Sequence, residues 1–428
     1  MKLAVTGGGS SYTPELVDGL FQRLDTIPLT EVWLMDPDQE RLSITADLSQ
    51  RMAEAHGNPF TVHQTTDLEE AVKDAAYVVT QLRVGGSQAR INDEKLGLRH
   101  GIVGQETTGV GGFACALRTI PSILEIAHAM ERLAPRGTLV NFTNPSGIVT
   151  EALIKHSSIR SVGLCNVPIG MIMDIVEGLG CRMEEVELDY VGLNHLAWVR
   201  GCTIGGQDRW SDVFQRFLEL APQEWEQEAV CASMVEAMKS MNMGFNPYLQ
   251  YFYATEAVLE HIKSKPKTRG EEVVEIENSL FEKYRQKELK EKPPELSKRG
   301  GAHYSTAAFH LISAIETDAK NHQVVCCRNN GAVPGFDDDA AVEVTAEIGK
   351  DGARALPQSA PEPAIRGLMQ LIKSYETLTV EAAVTGDREC AFQALLNNPL
   401  LPDATACREV LNDVLEVNKA HVAEAFFA

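Results

Sequence analysis

The strongest constraint on the fold is an alternation. Through residue 165, short β-rich runs take turns with stretches of helical periodicity. Strands are predicted at Lys2–Thr6, Glu31–Met35, Tyr77–Gln81, Thr138–Phe142 and Val162–Leu164. Helices are predicted at Pro14–Arg23, Gln39–His56, Asp67–Asp74 and Leu117–Leu133. In the last, Ile120, Ile123, Ile126, Ala127, Met130 and Leu133 form an apolar stripe at helical spacing. Parallel strands need crossover connections, so strand, helix, strand, helix predicts an α/β fold with a doubly wound parallel sheet. Beyond about residue 200 the alternation fades. Helical patterns then dominate, including a charge-laced one from Glu271 to Glu291 and a final one from Ala406 to Phe427. A chain of 428 residues is long for one core. Two units are therefore expected, residues 1–165 and a mainly helical α+β unit over 166–428.

The formal charge, 39 − 60 = −21, argues against nucleic acid or an anionic membrane as partner, since both reward a basic surface. It leaves room for a small anionic substrate, because a few arginines in a cleft suffice for one phosphate. The opening Met1-Lys2-Leu3-Ala4-Val5-Thr6-Gly7 reads as a strand entering a glycine turn and lacks the layout of a signal peptide. No consecutive apolar run approaches the roughly 20 residues that span a bilayer. Nine scattered cysteines without a CxxC pair suggest free thiols, and hence a cytoplasmic protein. The run Asp337-Asp338-Asp339 is read as a solvated loop.

Gly7-Gly8-Gly9-Ser10 follows the first strand and precedes a helix. Glycines there let backbone approach a pyrophosphate, whose charge is met by the helix's unpaired N–H groups. Tyr12 stands where the third glycine of GxGxxG would be. The second strand ends at Asp36, placed to accept from adenosine ribose hydroxyls and to repel the extra phosphate of NADP. The competing reading of Asp36 is a helix N-cap ahead of Pro37. Together these features predict a Rossmann-type domain that binds NAD through Gly7, Gly8, Gly9, Ser10 and Asp36.

Polar clusters occupy the C-terminal ends of the predicted strands, where open α/β sheets bind ligands. They are Gln81–Gly86, Asn141–Gly147 and Cys165–Pro168, with Gly192–His195 soon after. A thiolate and an imidazole suit a first-row divalent metal. Cys165 and His195 are 30 residues apart, so spacing leaves open whether they meet. A small core thiol and a hydrogen-bonded structural histidine are the other readings.

Seven motifs then form a series: Gly7–Leu16, Gly104-Gln105-Glu106-Thr107-Thr108-Gly109, Asn141–Gly147, Cys165-Asn166-Val167-Pro168, Gly192–His195, Asn246-Pro247-Tyr248-Leu249 and Lys298-Arg299-Gly300-Gly301. In order and spacing the series resembles the family-four glycoside hydrolases, over essentially the whole chain. That family departs from two-carboxylate glycoside hydrolysis and depends on NAD. The resemblance implies a lactate/malate dehydrogenase-like architecture. It also implies transient oxidation at sugar carbon 3 by NAD, loss of the carbon 2 proton, elimination of the aglycone, addition of water and return of the hydride. Cys165 and His195 would hold a divalent metal, with manganese expected. Tyr248 would be the base, and Arg299 or the metal the cation that lowers its pKa. Arg90 matches the sugar-phosphate position, and Asn144 and Asn166 match positions facing sugar hydroxyls. Of Tyr248, Tyr251 and Tyr253, the first two would share a face at helical spacing.

Cys-Asn-Val-Pro resembles the 6-phospho-β-glucosidase branch, whereas α-specific members tend to carry aspartate at the position of Asn166. The expected substrate is therefore a phosphorylated disaccharide, such as cellobiose 6-phosphate, or an aryl glucoside. Water would assist the leaving group. His303 departs from the family pattern, with consequences for the aglycone or phosphate pocket. A homodimer or homotetramer is implied. Three other readings stand beside this one: a 2-hydroxy-acid-type dehydrogenase, an α- or unphosphorylated-glycoside enzyme of the same family, and a sugar-phosphate sensor that keeps NAD as a structural ligand.

Overall fold

In the computed structural model, which describes residues 1–300 and 303–428, one continuous sheet runs through the molecule. Its first part is parallel: β1 (Lys2–Thr6), β2 (Glu31–Met35), β3 (Thr61–Thr65), β4 (Tyr77–Thr80), β5 (Thr138–Asn141) and β6 (Arg160–Gly163). Their spatial order, 3-2-1-4-5-6, is that of doubly wound dinucleotide-binding sheets. All residues of β4 and β5 are buried, as expected where helices cover both faces of a parallel sheet. The expected strands are all present. β3 went unpredicted because Thr61-Val62-His63-Gln64-Thr65 carries a single aliphatic residue.

The sheet then continues antiparallel. β7 (Val186–Leu193), β8 (Leu196–Ile204), β9 (Gln207–Asp208), β10 (Gly244–Phe245), β11 (Asn321–Arg328), β12 (Ala341–Gly349) and β13 (Gly352–Ala355) follow in the chain. From β6 the order runs β11, β12, β7, β8, β10, with β13 on β12 and β9 on β8. The joint between the two parts is narrow, with Cys326 of β11 opposite Gly163 of β6. A Cβ on Gly163 would lie 2.2 Å from Thr150 Oγ1 of the Ser146–His156 helix and 3.0 Å from Cys326 Cβ, so only glycine lets helix and strand both close on this point. The expected helical patterns of the second part are present, but these seven strands run among them. Several of its strands lie between partners or under helices, so their apolar runs lack the alternation that marks a half-exposed strand.

Three helices begin where the sequence reads as a turn. α1 (Gly86–Arg99), α2 (Ser146–His156) and α3 (Asn166–Leu179) start from Gly85-Gly86, Asn-Pro-Ser-Gly and Cys-Asn-Val-Pro. The helix expected from Leu117 begins earlier, at Gly109, and runs to Leu133. It is long and apolar enough to cross a membrane by composition, but it is largely buried, and it packs against α2 and the Pro363–Thr385 helix. The charge-laced helix runs Arg269–Tyr284, started by a capping box between Thr268 and Glu271. The last long helix, Ala404–Val417, stops short of the expected Phe427. There Asn418 turns inward and its Oδ1 accepts from Arg118 Nη1 at 2.5 Å. Asp337–Asp339 lies in the β11–β12 connection, and Asp339 pairs with Lys155 at 3.0 Å.

Candidate active site

A cleft of about 1470 Å³ opens along the C-terminal ends of β1, β2, β4, β5 and β6. The first turn lines it. Gly7 has φ +86°, a conformation that L side chains rarely adopt, and a Cβ there would meet Gln81 O at 2.6 Å. Gly9 N–H donates to Asp36 Oδ2 at 3.0 Å. Asp36 also accepts from Asp38 N–H, and it faces the cleft. The N-cap of the Gln39–Ala55 helix is Asp38, which accepts from Arg41 N–H, so Asp36 is free of the capping duty. Gly7, Gly9, Ser10 and Asp36 line the cleft. Gly8 packs under the turn, where its carbonyl accepts from Thr13 and Thr45.

Further along, the fold brings Cys165 and His195 together, with Sγ 3.4 Å from Nε2. Cys165 caps the N-terminus of α3, and its sulfur accepts from Val167 N–H. His195 occupies the two-residue turn between β7 and β8, at φ +66°. Burial pushes the His195 imidazole down to about 4, so at neutral pH it is neutral and keeps a ligand lone pair. Burial, with Glu343 next in weight, pushes the Cys165 thiol up to about 12, so a cation is needed to draw off its proton. Bonds of about 2.3 Å to sulfur and 2.1 Å to nitrogen place two donors about 3.1–3.6 Å apart for angles of 90–109°. The pair fits a first-row divalent ion. Among the described residues no group of three or more His, Cys, Asp or Glu side chains gathers as a metal cluster, so solvent or substrate oxygens would complete the shell.

Tyr248 stacks on His195, ring centroids 3.8 Å apart and 4° from parallel. Its ring also lies 5.9 Å from that of Tyr251, whereas Tyr253 turns to Phe245, as the spacing predicts. Burial pushes the Tyr248 phenol well above its usual range, and Tyr251, Cys165, Glu106 and Tyr304 add to that shift. Arg299, one of the two cations expected to act on it, is paired elsewhere. Its guanidinium lies 3.2 Å from Glu277 and over the ring of Tyr12, both beside the glycine turn.

Arg90 faces the cleft, its Nε 2.8 Å from Glu94 and its Nη1 3.2 Å from Glu106. Thus it pairs with a neighbour one helical turn on and lines the site as well. Three residues assigned no role from sequence, Arg83, Glu106 and Glu277, extend this into a network of ion pairs along the cleft. Arg83 pairs with Glu106 at 2.6 Å, and Glu277 accepts from Ser11 and Ser87 and faces Arg41 at 3.9 Å. Burial alone would raise the Glu106 carboxyl, but Arg83 and Arg90 outweigh it and hold it at about 2. Glu277 was legible. It shares the inward stripe of Val273, Leu280, Phe281 and Tyr284, a position where a charge needs a partner. Asn144 and Asn166 line the cleft. His303 lies outside its lining, although Gly300 and Tyr304 belong to it, and Gly301 of the same motif falls outside the described residues.

A dinucleotide turn and a stacked histidine and tyrosine in one cleft, with a buried thiol against the histidine, define a class, a nucleotide- and metal-dependent enzyme. Comparison gives the family. The Family 4 glycosyl hydrolase model matches residues 2–181, and the Family 4 glycosyl hydrolase C-terminal domain model matches residues 190–401. The chain is 42% identical to the probable 6-phospho-beta-glucosidase of Bacillus subtilis (strain 168), over 100% of this chain and 98% of that one. It is 38% identical to the Thermotoga maritima 6-phospho-beta glucosidase, whose structure with manganese, NAD+ and glucose-6-phosphate superposes with a TM-score of 0.90 over 99% of both chains. Malate dehydrogenase of Cryptosporidium parvum, 14% identical with a TM-score of 0.53 over 90% of this chain and 98% of that one, shares the fold alone. The protein belongs to glycoside hydrolase family 4.

Proposed function

We propose that the protein hydrolyses 6-phospho-β-glucosides with NAD and a divalent metal, manganese being the expected ion. The observation that carries this reading is that His195 and Tyr248, stacked in the cleft that begins at the glycine turn, meet the buried Cys165 sulfur just behind the cleft wall. When bound, NAD supplies a reversible hydride acceptor, and the metal supplies positive charge at the oxygens of sugar carbons 2 and 3. The chain's own residues do the rest. Gly7–Ser10 and Asp36 hold the nucleotide. Arg90, backed by Glu94 and Glu106, offers a fixed guanidinium to the sugar phosphate, with Arg83 beside it. Asn144 and Asn166 face sugar hydroxyls. Tyr248 removes the carbon 2 proton once positive charge at the adjacent pair lowers its pKa.

Asn166, in place of an aspartate, supports the β-anomer, with water assisting the departing aglycone. Nine cysteines in no disulfide support a reducing compartment such as the cytoplasm. Membership of the family supports assembly into a dimer or tetramer.

The test is hydrolysis of nitrophenyl β-glucoside 6-phosphate with NAD, manganese and a thiol reductant, each omitted in turn. Turnover that requires NAD and metal, without net NADH, is expected. Net NADH formation would favour the dehydrogenase reading, and preference for the α-anomer would overturn the reading of Asn166.

A further inference from the structure

One buried carboxylate near the site is unused by the chemistry above. Glu343, on β12, is 1% exposed and absent from the cleft lining. Its Oε2 accepts from the Tyr190 hydroxyl at 2.9 Å, and its Oε1 accepts from Asn194 Nδ2 at 2.9 Å. Each contact leads to one side of the site. Asn194 directly precedes His195, and its Oδ1 accepts from Gly147 N–H at 3.3 Å. The Tyr190 oxygen accepts from Asn246 Nδ2 at 3.2 Å, and Asn246 Oδ1 accepts from the backbone N–H of Tyr248 at 3.0 Å.

Both arms end on backbone N–H groups, of Tyr248 and Gly147, which can only donate, so the direction of every bond back to Glu343 is fixed. Tyr190 must donate to Glu343 and can then only accept from Asn246. Asn246 must in turn present its oxygen to Tyr248. On the other arm, Asn194 must present its amide nitrogen to Glu343 and its oxygen to Gly147. Tyr190 and Asn246 are fully buried, so water cannot replace a missing partner cheaply.

We propose that Glu343 is a positioning residue that orients the turn carrying the metal ligand His195 and the turn carrying the base Tyr248 from a single buried acceptor. The proposal rests on the functional reading above for the roles of those two residues. It goes beyond it in joining them through a group that touches neither substrate nor cofactor. Tyr190 and Asn246 form the arm to the base, and Asn194 forms the arm to the metal ligand.

The two arms can be cut separately. Tyr190→Phe keeps the buried ring and removes only the hydroxyl that links Glu343 to Asn246. Glu343→Gln removes the carboxyl's second acceptor and any negative charge, so the side chain can no longer serve both arms at once. Manganese affinity is read on the purified protein by electron paramagnetic resonance titration, without turnover. Turnover is read on an aryl β-glucoside 6-phosphate, unlabelled and deuterated at carbon 2. Tyr190→Phe is expected to keep manganese affinity within about twofold of wild type. Its kcat should fall about tenfold or more with KM little changed, and the carbon 2 isotope effect should grow as proton removal becomes more limiting. Glu343→Gln should in addition lose about 10–100-fold in manganese affinity, the usual scale for an outer-shell partner of a ligand.

Wild-type manganese affinity in Glu343→Gln, together with an unchanged isotope effect in Tyr190→Phe, would overturn the proposal and leave Glu343 a structural group. If Glu343→Gln fails to fold, an unchanged isotope effect and kcat in Tyr190→Phe overturn it alone. Failure of the functional reading looks different: wild type itself would not hydrolyse the substrate, while the manganese titration would still report on the arm to His195.

Discussion

Tyr248 shows how one side chain depends on its surroundings. A buried phenol with Glu106 and Cys165 raising its pKa is a poor base, yet its ring lies flat against His195, the proposed metal ligand. Tyr248→Phe should therefore lower kcat by about 10²–10⁴-fold, the usual contribution of a positioned general base. Manganese affinity and melting temperature should barely move, and a titration and a thermal scan on the same preparation check this. Asp36 offers a second test at this scale. Its carboxylate is held by two backbone N–H groups at the edge of the cleft, with Arg41 Nε bonded to Gly9 O close by. Asp36→Ser removes the charge that repels a 2′-phosphate, so the ratio of NADP to NAD affinity should rise by about tenfold or more. Binding titrations of both nucleotides measure it, and an unchanged ratio would locate nucleotide selection elsewhere.

At the scale of elements, what the sequence reveals depends on how local the signal is. β1, β2, β4, β5 and β6 were legible from apolar runs, and the glycine turn from its place between a strand and a helix. The Cys165–His195 pair was not legible from spacing. It forms because β7 returns across the sheet and turns at Asn194-His195, a long-range event without a local signature. Only the seven-motif resemblance brought it forward, as it did Tyr248 among three tyrosines. Arg83 and Glu106 were quoted as parts of motifs, but their pairing depends on packing between distant segments. The partner of Arg299 is hidden for the same reason, since Glu277 is brought to it by the docking of the Arg269–Tyr284 helix beside the glycine turn. The turn makes its own prediction. Gly7→Ala places a Cβ at φ +86° and 2.6 Å from a backbone carbonyl, so it should weaken NAD binding by at least about tenfold. Isothermal titration with NAD decides, and near-wild-type affinity would mean that the turn relaxes.

For the whole molecule, a charge of −21 coexists with a site built on arginines, and the two are reconciled by pairing. Glu106 is the clearest case. Its carboxyl is at about 2 in the fold against an ordinary 4.5. Held down in this way, it contributes stability in full above about pH 4.5 and loses it as pH falls toward 2. The shift corresponds to roughly 3 kcal/mol at neutral pH. The stability gap between wild type and Glu106→Gln should thus be widest near pH 7 and narrow below about pH 4.5. Urea unfolding across that range measures it, and a gap that stays constant with pH would deny the ion pair its role.

The narrow joint between β6 and β11 has a consequence for how the molecule holds together. Cys165 lies two residues past Gly163, on the parallel side of that seam, and His195 comes from the antiparallel side. A metal bound by both is a clip across the weakest stitch of the sheet. Occupancy and cohesion are then two readings of one equilibrium: whatever pries the seam open expels the ion, and whatever strips the ion loosens the seam. An ion at 100 times its Kd adds about 2.7 kcal/mol to the closed state. In such a molecule a chelator acts as a mechanical agent as much as a chemical one.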